Sequence, residues 1–379
     1  MDLSNISRGE VKVVDDDAAT VLAETIAQYE ADSGKTLQPA HIDRLLINTF
    51  AYRETLARQQ VNEAYRQQHP RFATGLMLDI CGDDINTPRL GASVALTTIR
   101  FSAALSGSDT VDIPKGTEVS VGDVAFATSI AGTLSAAVKQ IDLPAVCMQE
   151  GVAGNGWAIG QINKLSAPLH LTAEVKAANI NIPTGGAEEE SDDAYRERIM
   201  LAPESFSVAG SIGSYQYFAR SVSPAIVAVH VGNKLDSSGL PIGGTVVLTV
   251  LTQDGLPGAE LLAEVLKAVS GERVRPLCDM VTAQAPAIVD YSVNAELTVF
   301  AGANRAEVIA AAKAAWAAVD AANIKKLGAD IVPLDIQTAL KVDGVYNVVL
   351  KSPVLTEVPP DKWARCTAVN IVIKGEADG

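Results

Sequence analysis

The stretch Gly185-Gly186-Ala187-Glu188-Glu189-Glu190-Ser191-Asp192-Asp193-Ala194-Tyr195-Arg196-Glu197-Arg198-Ile199 divides the chain into two kinds of pattern. Two glycines make a turn, five carboxylates follow between Glu188 and Asp193, and a helix begins. Acidic side chains at a helix start offset the positive end of its dipole. That accounts for the run without a bound cation, and the run lacks the alternating ligand spacing of a calcium loop.

Upstream, from about Val94 to Ile182, apolar and polar residues alternate in short runs, as in Val94 to Phe101 and Glu118 to Thr128. Turns at Pro114-Lys115-Gly116, Gly122-Asp123 and Gly151 to Gly156 separate them. The spacing predicts a small sandwich or barrel-like β module. Downstream, strands and helices alternate. Strands are expected over 225–232, 244–251, 279–284, 287–300 and 345–350, with a strand-like end from Cys366 to Ile373. Helices are expected over 212–221, 257–270, 304–322 and 334–341. Antiparallel strand pairs with helices on one face would make this an α+β section.

The first 68 residues read as two helices. Asp15-Asp16-Asp17 offers caps for one that carries Ala18, Val21, Leu22, Ile26 and Tyr29 and ends at Gly34. Pro39 suits the first turn of a second. Its apolar stripe is Ile42, Leu45, Leu46, Phe50, Leu56, Ala57, Val61, Ala64 and Tyr65, extending for almost 30 residues or roughly 45 Å. Two readings stay open: an internal hairpin packed on the rest of the chain, or a bundle shared with another polypeptide through a coiled-coil-like seam.

With 45 acidic and 30 basic residues the net charge is −15, so phosphate backbones repel the chain and nucleic acid is not an expected partner. No apolar run approaches the ~20 residues of a membrane helix, and the N-terminus has no signal-peptide core. A soluble protein made in a reducing cytoplasm is expected. The cysteines Cys81, Cys147, Cys278 and Cys366 are dispersed and are expected as buried free thiols. The histidines His41, His69, His170 and His230 are equally scattered. Gly151 to Gly156 runs into further β-like sequence, whereas a phosphate cradle opens a helix, so a tight turn is expected there. No nucleophile elbow, zinc-protease, Walker or kinase motif is present. No catalytic residue, cofactor or metal site is assigned.

The stretch from Gly185 to Ile199 resembles the signature of the baseplate J-like family: a Gly-Gly turn, an acidic Glu-Ser-Asp start, then Arg-x-Arg-Ile on a helix. Further pieces similar to the family follow in order. They are Ile113 to Thr117 with Ala125 to Thr128, Gly154-Asn155-Gly156 with Gly160, Gly210 to Gly213, Val227 to Val231, Arg275-Pro276-Leu277, Val332 to Leu334, and Gly344-Val345. The likeness covers roughly residues 70–375. The N-terminal helices match only by type.

The resemblance implies a structural wedge component of a contractile phage tail baseplate, without enzymatic activity. It would form the inner ring around the tail hub and transmit the change of shape that leads to sheath contraction. Expected partners are a second wedge protein through the N-terminal helices, another copy of the chain, and other baseplate and sheath-initiating proteins. The expected place is the virion tail baseplate, assembled in the host cytoplasm. A receptor- or glycan-binding tail protein is the competing reading, disfavoured by 5% aromatic residues. A cell-wall hydrolase would need an acid or nucleophile that no motif supplies.

The expected fold is multidomain α+β: an N-terminal helical hairpin (1–70), a central β-rich module (71–184), an α+β domain with the signature helix (185–286) and a C-terminal α+β domain (287–379). Ile42, Leu45, Leu46, Phe50 and Leu56 are the expected partner seam. Glu190, Ser191, Asp192, Tyr195, Arg196 and Arg198 form the signature helix, whose arginines are expected to pair with carboxylates and hold it on the β module or a neighbour. A hinge is expected within 183–212, at Pro183, Gly185, Gly186 and Gly210, where the pattern changes.

Overall fold

The computed structural model describes residues 6–169, 174–206, 210–271, 274–276 and 278–378. His170 and Leu277 lie outside the described residues. The chain is a mixed α+β multidomain protein that divides into two compact units. One comprises the residues up to Arg89 together with Ser191–Met200; the other comprises Leu90–Glu190 and the residues from Leu201 onward.

The first unit is helical. Helix α1 (Ala18–Ser33) starts where Asp17 accepts from the Thr20 N–H at 2.9 Å, and it stops at Gly34 in the left-handed region (φ 66°). Helix α2 (Ile42–Arg66) begins three residues later than Pro39 suggested. The His41 N–H donates to the Gln38 carbonyl at 3.0 Å, so Pro39 sits in a turn whose φ it pre-sets, ahead of the helix. After α3 (Leu76–Asp83), the fourth helix of this unit comes from far along the chain: α4 (Asp192–Leu201), the signature helix. It does not pack as the opening helix of the domain expected at 185–286. Tyr195 and Ile199, one turn apart, join Ala73 and Leu78 in a small core. A ten-residue helix cannot build a core of its own, so it takes the apolar surface that fits it.

In the second unit a β module comes first. Its strands are β1 (Val94–Ala103), β2 (Thr110–Ile113), β3 (Glu118–Val121), β4 (Val124–Thr128), β5 (Gly132–Ser135), β6 (Gln140–Glu150), β7 (Lys164–Leu165) and β8 (Val175–Asn179). Six form one sheet in the order β7-β3-β4-β6-β1-β8, and β2 pairs with β5. Along β1, Ala95, Thr97, Ile99, Phe101 and Ala103 point inward with period two. The apolar four meet Val119, Phe126, Leu134, Leu143 and Ile162 in one core.

Two three-stranded sheets follow, each with helices against it. The central domain holds α5 (Ile212–Arg220), β9 (Ile226–Gly232), β10 (Thr245–Thr252), α6 (Ala259–Val269) and β11 (Met280–Gln284), with strand order β11-β10-β9. The C-terminal domain holds β12 (Ala287–Phe300), α7 (Arg305–Asn323), α8 (Pro333–Leu340), β13 (Val345–Ser352) and β14 (Lys362–Ala377), ordered β13-β12-β14. Purely antiparallel pairing does not hold. β10 runs parallel to β11, and β12 runs parallel to β14 over its whole length. In the first case α6 is the crossover that a parallel connection needs. In the second, the chain returns through α7, α8 and β13. The thiols also differ from expectation: Cys147 is buried, Cys81 and Cys366 are half-buried, and Cys278 is exposed. Among the described residues no helix is long and apolar enough to cross a membrane.

Candidate assembly interface

Helix α2 is two-sided in an unusual sense. The face turned inward is made of Ala51, Thr55 and Asn62, and across from it α1 buries Val21. Small side chains there permit close approach, and the Thr55 hydroxyl is satisfied by the Ala51 carbonyl at 2.8 Å. Asn62 clamps the preceding segment. It accepts from the Val13 and Val14 N–H groups at 2.8 and 3.1 Å and donates to the Val14 carbonyl at 2.9 Å. Arg66 donates to the Val11 carbonyl and Arg58 to that of Asp15.

The opposite face carries the expected seam. Ile42, Leu45, Leu46, Phe50 and Leu56 are between 40 and 79% exposed. Helix α2 therefore buries small and polar residues and offers large apolar ones. Fully burying each such side chain contributes roughly 1.5–3 kcal/mol. The structure rejects an internal role for this stripe within its own unit.

Helix α4 is the reverse case. Tyr195 is fully buried and its hydroxyl donates to the Thr87 carbonyl at 2.7 Å. Arg89 stacks over that ring at 4.6 Å and forms ion pairs with Asp79 and Asp192 at 2.8 and 2.7 Å. Asp192 accepts from the Gly75 N–H at 2.9 Å. That bond, and then Arg89, hold its carboxyl below the usual carboxylate range. Ser191 caps the helix, its hydroxyl accepting from the Ala194 N–H at 3.3 Å.

Both arginines reach loop carbonyls. Arg196 donates to the Pro70 and Ala73 carbonyls at 3.0 and 2.8 Å and pairs with Asp193, which is almost wholly exposed. Arg198 is 2% exposed and donates to the Pro88 carbonyl at 2.6 Å. Loop carbonyls attract them because a guanidinium presents several donors in a rigid fork. Gly82 leaves room for Tyr195: a Cβ there would overlap the tyrosine hydroxyl.

The remaining signature residues lie in the second unit. Glu190 is buried and accepts from the Leu90 N–H at 3.0 Å. Gly185 needs its glycine for φ 94°, and Gly186 because a Cβ would strike the Gly151 carbonyl. Asn155 brackets Gly186, accepting from its N–H at 3.0 Å and donating to its carbonyl at 2.7 Å. The Pro183 carbonyl accepts from the Gly156 N–H at 3.0 Å. Asn155 also donates to Asp254 at 2.6 Å, and the Thr98 hydroxyl donates to Glu260 at 2.6 Å, joining the β module to the central domain through polar contacts. Gly210, at φ 69°, lies against Pro276 and Asp279.

Sequence reasoning missed Arg89, Asn155 and Asn62. Each acts through a partner 31 to 103 residues away in the chain, and no local pattern announces such a pairing. Chemically, these arrangements bind and brace. No group of three metal-ligating side chains converges among the described residues.

Models of four baseplate J-like domains match in order: the N-terminal domain over residues 44–95, the barrel domain over 98–186, the central domain over 207–285 and the C-terminal domain over 291–372. Baseplate protein J of Escherichia phage P2 is 36% identical over 226 residues, spanning 59% of this chain and 71% of that protein. A chain in the cryo-EM structure of the anti-feeding prophage baseplate, 6-fold symmetrised, aligns over 93% of this chain and 90% of its own with 12% identity and a TM-score of 0.39. With four consecutive domain models on the sequence and a relative matched over most of its length, the chain belongs to the baseplate J-like family.

Proposed function

We propose that this chain is a structural wedge subunit of a contractile tail baseplate, joined to a second wedge protein through the exposed face of α2. The observation that carries the reading is the stripe from Ile42 to Leu56, exposed on a 25-residue helix about 37 Å long. A face of that length and composition is unfavourable in water and suits a helical partner. Family membership supports the baseplate setting. The role is non-catalytic, and the place is the ring around the tail hub. Contacts to another copy and to sheath-initiating proteins belong to the same proposal, as does transmission of the shape change that leads to contraction.

Rotation between the β module and the later domains belongs to this proposal too, within residues 183–212. Gly186 is bracketed by Asn155 and the Gly185 carbonyl accepts from the Ser93 hydroxyl at 2.8 Å, so the turn would fall towards Gly210. Electron microscopy of tails labelled with antibody against this chain tests the whole reading. Label beside the tail tube is the expected result; label at fibre tips would favour receptor binding and sink the wedge.

A further inference from the structure

Asn155-Gly156 is the one Asn-Gly pair in the sequence. A glycine nitrogen, unhindered by any side chain, can attack the preceding asparagine Cγ. A C–N bond forms, the amide nitrogen leaves as ammonia with the glycine N–H proton, and water opens the succinimide to Asp or isoAsp. The fold keeps both reacting groups occupied. The Asn155 Oδ1 accepts from the Gly186 N–H at 3.0 Å, while its Nδ2 donates to the Gly186 carbonyl at 2.7 Å and to Asp254 at 2.6 Å. The nucleophile is engaged too, because the Gly156 N–H donates to the Pro183 carbonyl at 3.0 Å. Part of this restraint comes across the joint between the β module and the central domain. Asp254 lies on the central side, and Gln253 beside it donates to the Gly186 carbonyl at 3.4 Å. Thr98 and Glu260 close the same joint at 2.6 Å, away from Asn155.

The geometry points to Asn155-Gly156 as a deamidation site gated by this joint, silent while the two domains are closed on each other and converted when they part. The chemistry is slow beside domain opening, so its rate follows the population of the open form. Conversion is also one-way. A carboxylate at 155 cannot donate, so the Gly186 carbonyl loses its shorter hydrogen bond and two carboxylates meet where Asn155 and Asp254 now bond. A converted joint closes less well, and position 155 keeps a chemical record of its opening.

The test uses the full chain in mildly alkaline buffer, with conversion at Asn155 followed by peptide mass spectrometry and the urea-unfolded chain as reference. The native chain should convert at least about tenfold more slowly than the unfolded one. Glu260→Ala loosens the joint without touching Asn155. It should speed native conversion at least about threefold and leave the rate in urea unchanged. A Cβ on Gly258 would lie 2.6 Å from the Thr184 hydroxyl, so Thr184→Cys with Gly258→Cys places a disulfide across the joint. Oxidation of that pair should slow conversion below wild type, and reduction should restore it. Asn155→Asp should raise hydrogen exchange in peptides across 181–187 and 253–258. Equal rates for native and unfolded chain would overturn the protection. Native rates indifferent to both Glu260→Ala and the disulfide would overturn the gating, and unchanged exchange in Asn155→Asp would overturn the one-way step.

Discussion

Helices α2 and α4 exchange the roles that their compositions suggest. α4 has five charged residues in ten, yet it buries Tyr195, Arg198 and Ile199 and binds its arginines to loop carbonyls. α2 carries the long apolar stripe, yet that stripe faces outward. Burial in a single chain thus follows the availability of partners more than hydrophobicity. The charged helix finds donors and acceptors within its own unit, while the stripe of the apolar one stays exposed.

The contrast breaks most readily at Tyr195. Tyr195→Ala removes a buried ring, its hydrogen bond and the cation stacked on it, and should destabilise the unit by about 3–5 kcal/mol. Urea unfolding followed by circular dichroism checks this; a loss under 1 kcal/mol would mean that α4 is not anchored as described. Arg196→Glu leaves the Pro70 and Ala73 carbonyls without their donor and sets a carboxylate beside Asp193. A loss of about 1.5–3 kcal/mol is expected, against ~0–1 kcal/mol for an ordinary surface pair. An unchanged melting temperature would reduce Arg196 to a solvated side chain.

Acid sharpens the same point on a smaller scale. Asp192 has a folded pKa below its unfolded value, so its stabilising contribution is fully present above the unfolded value, near 3.8. It is lost as pH falls from there through the folded pKa. Asp192→Asn should therefore flatten the acid limb of the stability curve below about pH 4. Equal slopes for variant and wild type in that window would remove Asp192 from the account.

The smallest effect on the free chain is expected at the seam. Leu46→Asp and Leu56→Asp replace exposed side chains and should change subunit stability by no more than about 0.5 kcal/mol. In an assembled seam the same carboxylate would be buried unpaired, at a cost of several kcal/mol. Wedge assembly, read by co-purification and electron microscopy, should fail. Normal wedges from either variant would remove the seam from α2. For the freedom proposed within 183–212, two copies from one baseplate should separate over residues 213–350 when aligned on 94–180. If they overlay throughout, the two halves move as one.

Much of the fold was legible before any coordinates. Asp17 and Gly34 bound α1 because capping and left-handed geometry are local requirements. The expected strand at 287–300 matches β12 residue for residue, since alternation over 14 residues admits few other readings. The α2 stripe was legible too, as a pattern, though not as an exposed one.

What the sequence determined by itself was therefore what neighbouring residues can specify: helix ends, strand periods, the order of elements and the apolar face of α2. Tertiary structure decided the rest. It returned α4 to the helical unit, made β11 and β14 parallel to their partners, matched Arg89 with Asp192 across 103 residues, and set Asn155 around Gly186. Each of these depends on which distant surfaces meet. A hydrogen bond or ion pair has a reach of a few ångströms in space and no fixed reach along the chain, so only the folded arrangement could choose among the candidates.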